Sequence, residues 1–276
     1  MMRKMLVILL ISMGVAGGVR AEDLILSAPP RESAEAGKKL YTPLAALLSK
    51  TLGRTVRYEH PGSWFKYQND MREGRLDIVF DGPHFVSWRI AHLDHRALVK
   101  LPGKLQFHLL TRADNEGIRG PDDLVGRTIC GISPPHLSTL SILAYYNNPV
   151  RQPTIKGIRG GMGKVLQAGL HNDKCDAFVL RTAFYKKKVK PELRAQMRIL
   201  YTSPAMPNQA LTVSAHRISA AEQETLRELL TVRTEGKQAV DGIRKRFAPK
   251  AKGFVVTNDK EYRGYNRLLE GVIFGW

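Results

Sequence analysis

The stretch GRLDIVFDGPHF, residues 74–85, decides how the rest of the chain is read. It opens polar, runs through Leu76-Asp77-Ile78-Val79-Phe80, and stops at Asp81-Gly82-Pro83-His84. A short, nearly continuous apolar run bounded by turn formers reads as a strand covered on both faces, the kind found in parallel sheets. Gly82 and Pro83 then fix a tight bend. Open α/β sheets bind ligands beyond the carboxyl ends of their strands, so the bend predicts Asp81 and His84 facing a crevice.

Upstream, residues 24–27 and 55–60 read as strands. Residues 34–52 and 64–73 read as helices, the first carrying Leu40, Leu44, Leu47, Leu48 and Leu52 at helical spacing and ending at Gly53. The order β-α-β-α-β implies a doubly wound sheet. A second series follows: strands at 127–132, 154–158 and 175–180, helices at 138–146 and 162–171. Extended apolar runs at 105–112 and 208–216 flank this series and read as two crossovers. Helices at 220–230 and 236–247 return to the first unit. The expected architecture is α/β, with two doubly wound lobes joined by two hinge crossover strands. Residues 22–106 plus 213–276 form lobe 1, and 107–212 form lobe 2 with the hinge strands at its ends.

Residues 1–21 stand apart. Arg3 and Lys4 precede an uncharged apolar stretch at 6–16, and Val19-Arg20-Ala21 supplies small residues before Glu22-Asp23. This is the pattern of a cleaved secretory signal, too short in its apolar part for a membrane span. Lys and Arg outnumber Asp and Glu by 43 to 25, a formal charge of +18. Losing Arg3, Lys4 and Arg20, with no acid in the segment, leaves +15. Such a charge suits nucleic acid, a membrane surface or small anions. Export and the even spread of basic residues argue against nucleic acid. The two cysteines, Cys130 and Cys175, start strands that a sheet of this kind places side by side, and an oxidising compartment allows them to pair.

The second lobe repeats the polar strand end. TICGISPPHLST, residues 128–139, carries a strand into Ser133-Pro134-Pro135-His136 and a helix start with Ser138 and Thr139, where helix amides and hydroxyls make an anion site. CDAFVLRT, residues 175–182, ends a strand on Arg181 and Thr182, and Arg181 offers a planar fork of donors. Nothing marks a hydrolase elbow or other catalytic arrangement, no cofactor is called for, and the chain reads as a binding protein rather than an enzyme.

The segments YTPLAALLSKTLGRTV (41–56), WFKYQNDMREGRLDIVFDGP (64–83), DDLVGRTICGIS (122–133), KVLQAGLHNDKCDAFVL (164–180) and KGFVVTNDKEYRGYNRLL (252–269), in their order and spacing, resemble a type II periplasmic solute-binding protein of the phosphate/phosphite/phosphonate-binding group. The resemblance covers about residues 23–276. It implies a monomer that captures a small anion and delivers it to the permease of an ABC importer. It also implies a ligand-contacting aromatic at Trp64. The candidate ligand set is thus Trp64, Asp81, His84, His136, Ser138, Thr139 and Arg181, and Asp81 favours a phosphonate-like organic anion that also carries an amine. Two alternatives remain at this point: a sensing subunit for a membrane kinase, and a metal-binding protein built on His60, His84, His108 and His136 with Asp81.

Overall fold

The first strand, β1 (Leu24–Ser27), is followed by α1 (Ala34–Leu52), β2 (Val56–Glu59), α2 (Trp64–Arg72), β3 (Ile78–Asp81), α3 (Pro83–His92) and β4 (His95–Lys100) in the computed structural model, which describes residues 23–171 and 175–271. The expected signal segment at 1–21 lies outside the described residues. Local chemistry sets the helix ends. Ser33 caps α1 by accepting from Ala36 N, and Gly53 closes it in the left-handed conformation with φ 63°. Gly82 and Pro83, read above as a tight bend, are the N-cap and first residue of α3, where the fixed φ of proline suits a helix start.

After β4 comes the two-residue strand β5 (Lys104–Leu105) and then a second unit. It comprises β6 (Phe107–Arg112), β7 (Thr128–Gly131), α4 (Leu137–Tyr146), β8 (Thr154–Gly157), α5 (Met162–His171), β9 (Ala177–Arg181), α6 (Thr182–Lys188), α7 (Pro191–Ala195) and β10 (Met197–Thr202). The chain returns through β11 (Met206–Pro207) and β12 (Ala210–Ser214). It ends with α8 (Ala220–Thr231), α9 (Thr234–Ala239), α10 (Asp241–Phe247) and β13 (Val255–Val256), followed by short 3-10 turns.

Two sheets result. The first has the order β13-β4-β12-β3-β1-β2, the second β10-β6-β9-β7-β8. In each, three neighbouring strands run parallel (β2, β1 and β3; β8, β7 and β9) and the sheet continues through antiparallel pairs: β12 against β3 and β4 and β13 against β4 in the first, β6 against β9 and β10 against β6 in the second. The crossings expected on 105–112 and 208–216 are mostly sheet. The linking backbone is instead the antiparallel ribbon β5–β11 just before them, with Met206 opposite Leu105 and Pro207 opposite Lys104.

The buried face of α1 (Tyr41, Leu44, Ala45, Leu48) packs with Leu24, Leu26, Phe80, Leu226 and Ile243 to form the core of the first lobe. A second cluster joins the lobes: Tyr67, Phe85 and Val79 from the first meet Leu109, Leu137 and Leu140 from the second. The outer side of the second sheet buries Leu110, Val165, Phe178 and Leu180. There Gly169 of α5 lies so close to Phe178 that a Cβ would stand 2.2 Å from its ring.

Cys130 and Cys175 form a disulfide in this last cluster, with Cα atoms 5.6 Å apart and a sequence separation of 45. Cross-linking such a loop restricts the unfolded chain. Replacing both cysteines by alanine is expected to lower unfolding free energy by about 2–4 kcal/mol in urea titrations. Unreduced, denatured protein should take up no alkylating reagent; two reactive thiols would contradict the bridge.

Candidate functional site

Parallel β1–β3 and parallel β7–β9 each present their carboxyl ends on one edge of a sheet. Four turns leave those ends: residues 28–33 after β1, Gly82–His84 after β3, 132–136 after β7, and Arg181–Thr182 after β9. Two of them touch. His84 Nε2 lies 3.0 Å from the Pro135 carbonyl oxygen, a hydrogen bond from one lobe to the other. The carbonyl can only accept, so Nε2 carries the proton.

His84 is buried, and that burial, opposed by the Pro135 bond and reinforced by the charges of Arg31 and Arg89, holds its pKa down to about 3. His136 is the N-cap of α4. Its Nδ1 accepts from Ser138 N at 3.3 Å and lies 2.7 Å from Ser138 Oγ, which leaves the proton of the neutral ring on Nε2. Burial and then the charges of Arg31, His84 and Arg181 bring its pKa down to about 3. The charges of Arg31 and Arg181, from opposite lobes, thus both act on His136, and that of Arg31 acts on His84 as well.

Arg31 was absent from the sequence-derived set. It lies just beyond the carboxyl end of β1, and the rule that pointed to His84 and Arg181 points to it equally. Its guanidinium sits 4.6 Å from the Phe247 ring centroid, which covers its apolar face. Its buried Nε and Nη2 make no strict hydrogen bond among the described residues, and neither do Arg181 Nε, Thr182 Oγ1 and His84 Nδ1; the Arg31 guanidinium does interact with the buried Tyr41 hydroxyl. Buried donors without partners are costly and rare, and burial holds the Arg181 pKa below that of an ordinary arginine.

Three expected ligand groups are committed elsewhere. Asp81 is wholly buried and does not face the crevice: Arg89 Nη1 and Nη2 donate to its two oxygens at 2.8 and 2.7 Å, and Tyr67 Oη donates to it as well. Arg89 also donates to Thr212 Oγ1 at 3.0 and 3.2 Å. The charge of Asp81 is spent inside the lobe, and the case for an amine on the ligand, which rested on it, falls. Ser138 and Thr139 are fully buried; Ser138 serves the His136 cap and Thr139 Oγ1 donates to the Ile132 carbonyl. Trp64 is half-buried at the start of α2, stacked on Phe85 at 6.3 Å and edge-on to Tyr67 at 6.3 Å.

The four histidines named above do not form one cluster; only His84 and His136 interact. His60 pairs with the Glu32 carbonyl at 3.0 Å and His108 with Thr202 Oγ1 at 2.8 Å. Among the described residues no group of three or more His, Cys, Asp or Glu side chains could hold a metal ion, and no helix is long and apolar enough to cross a membrane. A cavity of about 320 Å³ opens elsewhere, against α3, between Ser87, Arg96, Asp259 and Asn266.

Comparison with known proteins gives a consistent result. The family model described as "ABC transporter, phosphonate, periplasmic substrate-binding protein" matches residues 26–262. The phosphate-import protein PhnD of Mycolicibacterium smegmatis is 28% identical over 123 residues, 41% of this chain; the match spans 37% of that relative's length. Among solved structures, XAC2383 from Xanthomonas citri bound to ATP superposes with a TM-score of 0.68 at 16% identity, covering 91% of this chain and 96% of that one. PhnD1 from Prochlorococcus marinus in complex with methylphosphonate gives 0.62 at 17% identity, covering 90% and 97%. At these identities the likeness is one of fold.

Two outcomes follow for stability. Asp81→Asn leaves the Arg89 charge buried without its partner and is expected to cost about 3–5 kcal/mol in urea unfolding. The second concerns pH. The unfolded chain binds a proton at His84 below about 6.5 while the folded chain stays neutral to about 3. Stability is therefore full above that window and declines as pH falls through it, by up to about 1.4 kcal/mol per unit for this residue. His136 and His95 shift in the same direction. His84→Gln should make the decline in melting temperature between neutral and mildly acid pH shallower than in the parent protein.

Proposed function

The chain belongs to the phosphonate-binding family of periplasmic ABC-transporter substrate-binding proteins, and we propose that it captures a small phosphorus oxyanion, of the phosphonate or phosphate kind, between its lobes and delivers it to a membrane permease. The observation that carries this reading is the pair of half-buried arginines, Arg31 on the first lobe and Arg181 on the second, with buried guanidinium nitrogens (Arg31 Nε and Nη2, Arg181 Nε) that make no hydrogen bond among the described residues. With Asp81 neutralised by Arg89, the four turns offer an anion donors and positive charge. Charge-assisted hydrogen bonds to oxyanions are the strong ones, and arginines on opposite lobes make one anion a bridge between them.

Closure follows from the same geometry. The β5–β11 ribbon carries both crossings. The His84–Pro135 bond and the shared apolar cluster belong to the closed form. A ligand favours that form by the difference in its affinity for the two arrangements, and two lobes turning on a short ribbon is hinge closure. The protein acts in the periplasm as a monomer. Its relatives' names support the ligand class: one is called a phosphate-import protein, another was solved with methylphosphonate.

Calorimetry against methylphosphonate, phosphite and phosphate tests the reading. Arg31→Ala and Arg181→Ala should each weaken the best ligand by about 1.5–3 kcal/mol, roughly 10- to 150-fold. Unchanged affinity in both variants, or binding of a divalent cation and none of these anions, would sink it.

A further inference from the structure

Most of the unpartnered side-chain atoms around the cleft are donors or can act as donors: Arg31 Nε and Nη2, Arg181 Nε, and the Thr182 hydroxyl. The carboxylate on the turn of Arg31 belongs to Glu32, whose Oε1 lies 3.2 Å from Arg246 Nε in an ion pair. His84 Nδ1 is different. Its ring gives the Nε2 proton to the Pro135 carbonyl, so in the neutral ring Nδ1 is a bare lone pair. That lone pair is buried and has no partner among the described residues. Nor is there room to rearrange: a Cβ on Gly82 would stand 3.0 Å from Cε1 and 3.1 Å from Nδ1, and the Phe85 ring centroid lies 4.1 Å from that of His84. The sequence keeps a glycine beside the ring and a carbonyl in front of it, which fixes the tautomer and leaves a bare acceptor nitrogen beside the donors.

We propose that the site takes its phosphorus oxyanion as the monoprotonated species, with the ligand P–OH donating its hydrogen to His84 Nδ1 while the arginines hold the charged oxygens. The inference rests on the oxyanion reading above and adds the protonation state to it. Arg31 on the turn after β1, Arg89 on α3 and His136 at the start of α4 are the titratable groups whose fields couple to His84. Among these groups an ammonium donor would meet positive charge, whereas a hydroxyl on an anion brings a donor together with the charge the site favours. The same cations and the burial keep the ring neutral at ordinary pH, so the proton in the contact belongs to the ligand. A fully ionised anion has no hydrogen to give and sets an oxygen lone pair against a nitrogen lone pair.

Titration calorimetry at a series of pH values spanning the second ionisation of methylphosphonate and of phosphite provides the test. Affinity should fall about tenfold for each pH unit above the ligand's own second pKa, and the break should move when one ligand replaces the other. Above the break, binding should take up one proton, read from the heats in buffers of different ionisation enthalpy. Sulfate, which carries no proton near neutrality, should bind at least tenfold more weakly than either. Two variants divide the ring's roles. His84→Gln can still reach Pro135 but removes the acceptor at Nδ1, and should flatten the pH profile and lose discrimination against sulfate. His84→Asn keeps an oxygen near Nδ1 and should retain the profile. Tight binding that ignores the ligand's ionisation, or equal affinity for sulfate, overturns this inference and leaves the oxyanion reading standing. Failure of the wild-type protein to bind any of these anions overturns both.

Discussion

The buried pair between Asp81 and Arg89 governs the rest of the cleft. A carboxylate at the end of β3 would, if free, stand where an anion has to enter. Instead Arg89, two helical turns further on, reaches back with both terminal nitrogens and takes its charge inward. Taking two ions out of water is expensive, and the cost is offset only where the remaining hydrogen-bonding capacity is satisfied. Tyr67 from α2 and Thr212 from β12 do this. Two helices, α2 and α3, thereby converge on the carboxylate at the end of β3, and β12 holds the guanidinium that meets it. The first turn of α3 is fixed against them, and His84 is held where it can touch the other lobe. The positive character of the cleft and the placement of its histidine share this origin.

Much of the fold was legible because its signals are local. The apolar run at 76–80 is a central strand, and the spacing of Leu44 and Leu48 puts both on the buried face of α1. The second series of alternating strands and helices is equally plain. The direction of the Asp81 side chain was not legible, since it depends on an arginine eight residues later in a helix, a residue type seldom found fully buried. The intramolecular commitments of Ser138 and Thr139 were hidden for a related reason. A hydroxyl at a helix start can cap the helix or hold an anion, and only the positions of His136 and Ile132 decide which. Arg31 follows a pair of prolines, in a turn without the glycine that drew attention to Gly82. Its significance appears only when its buried nitrogens are seen with Arg181 on the facing lobe.

The seam between the lobes is mixed. Tyr67 and Phe85 on one side and Leu137 and Leu140 on the other continue a single apolar cluster across it, while the polar turns meet beside that cluster. Apolar burial is non-directional and contributes to closure whatever occupies the polar part. On the proposed reading, discrimination then falls to a few directional groups, the two guanidinium ions and one imidazole, the last held by packing behind it. The division resembles that of many small-molecule sites, where apolar walls supply area and a few polar atoms supply identity.

The strand orders have a consequence for how the chain is made. Within the first sheet, β3 and β4 are never neighbours; β12 lies between them and is hydrogen-bonded to both. A polypeptide emerging amino end first therefore exposes β3 as an unpaired edge until residues 210–214 arrive. The second sheet lies wholly within residues 107–202, and its covalent bridge closes inside that same stretch. The later-made lobe can be finished first, while the earlier-made one waits with an open edge, the kind of surface that recruits foreign strands. A newly made chain is most vulnerable to aggregation in that interval, and anything that slows the appearance of β12 prolongs it.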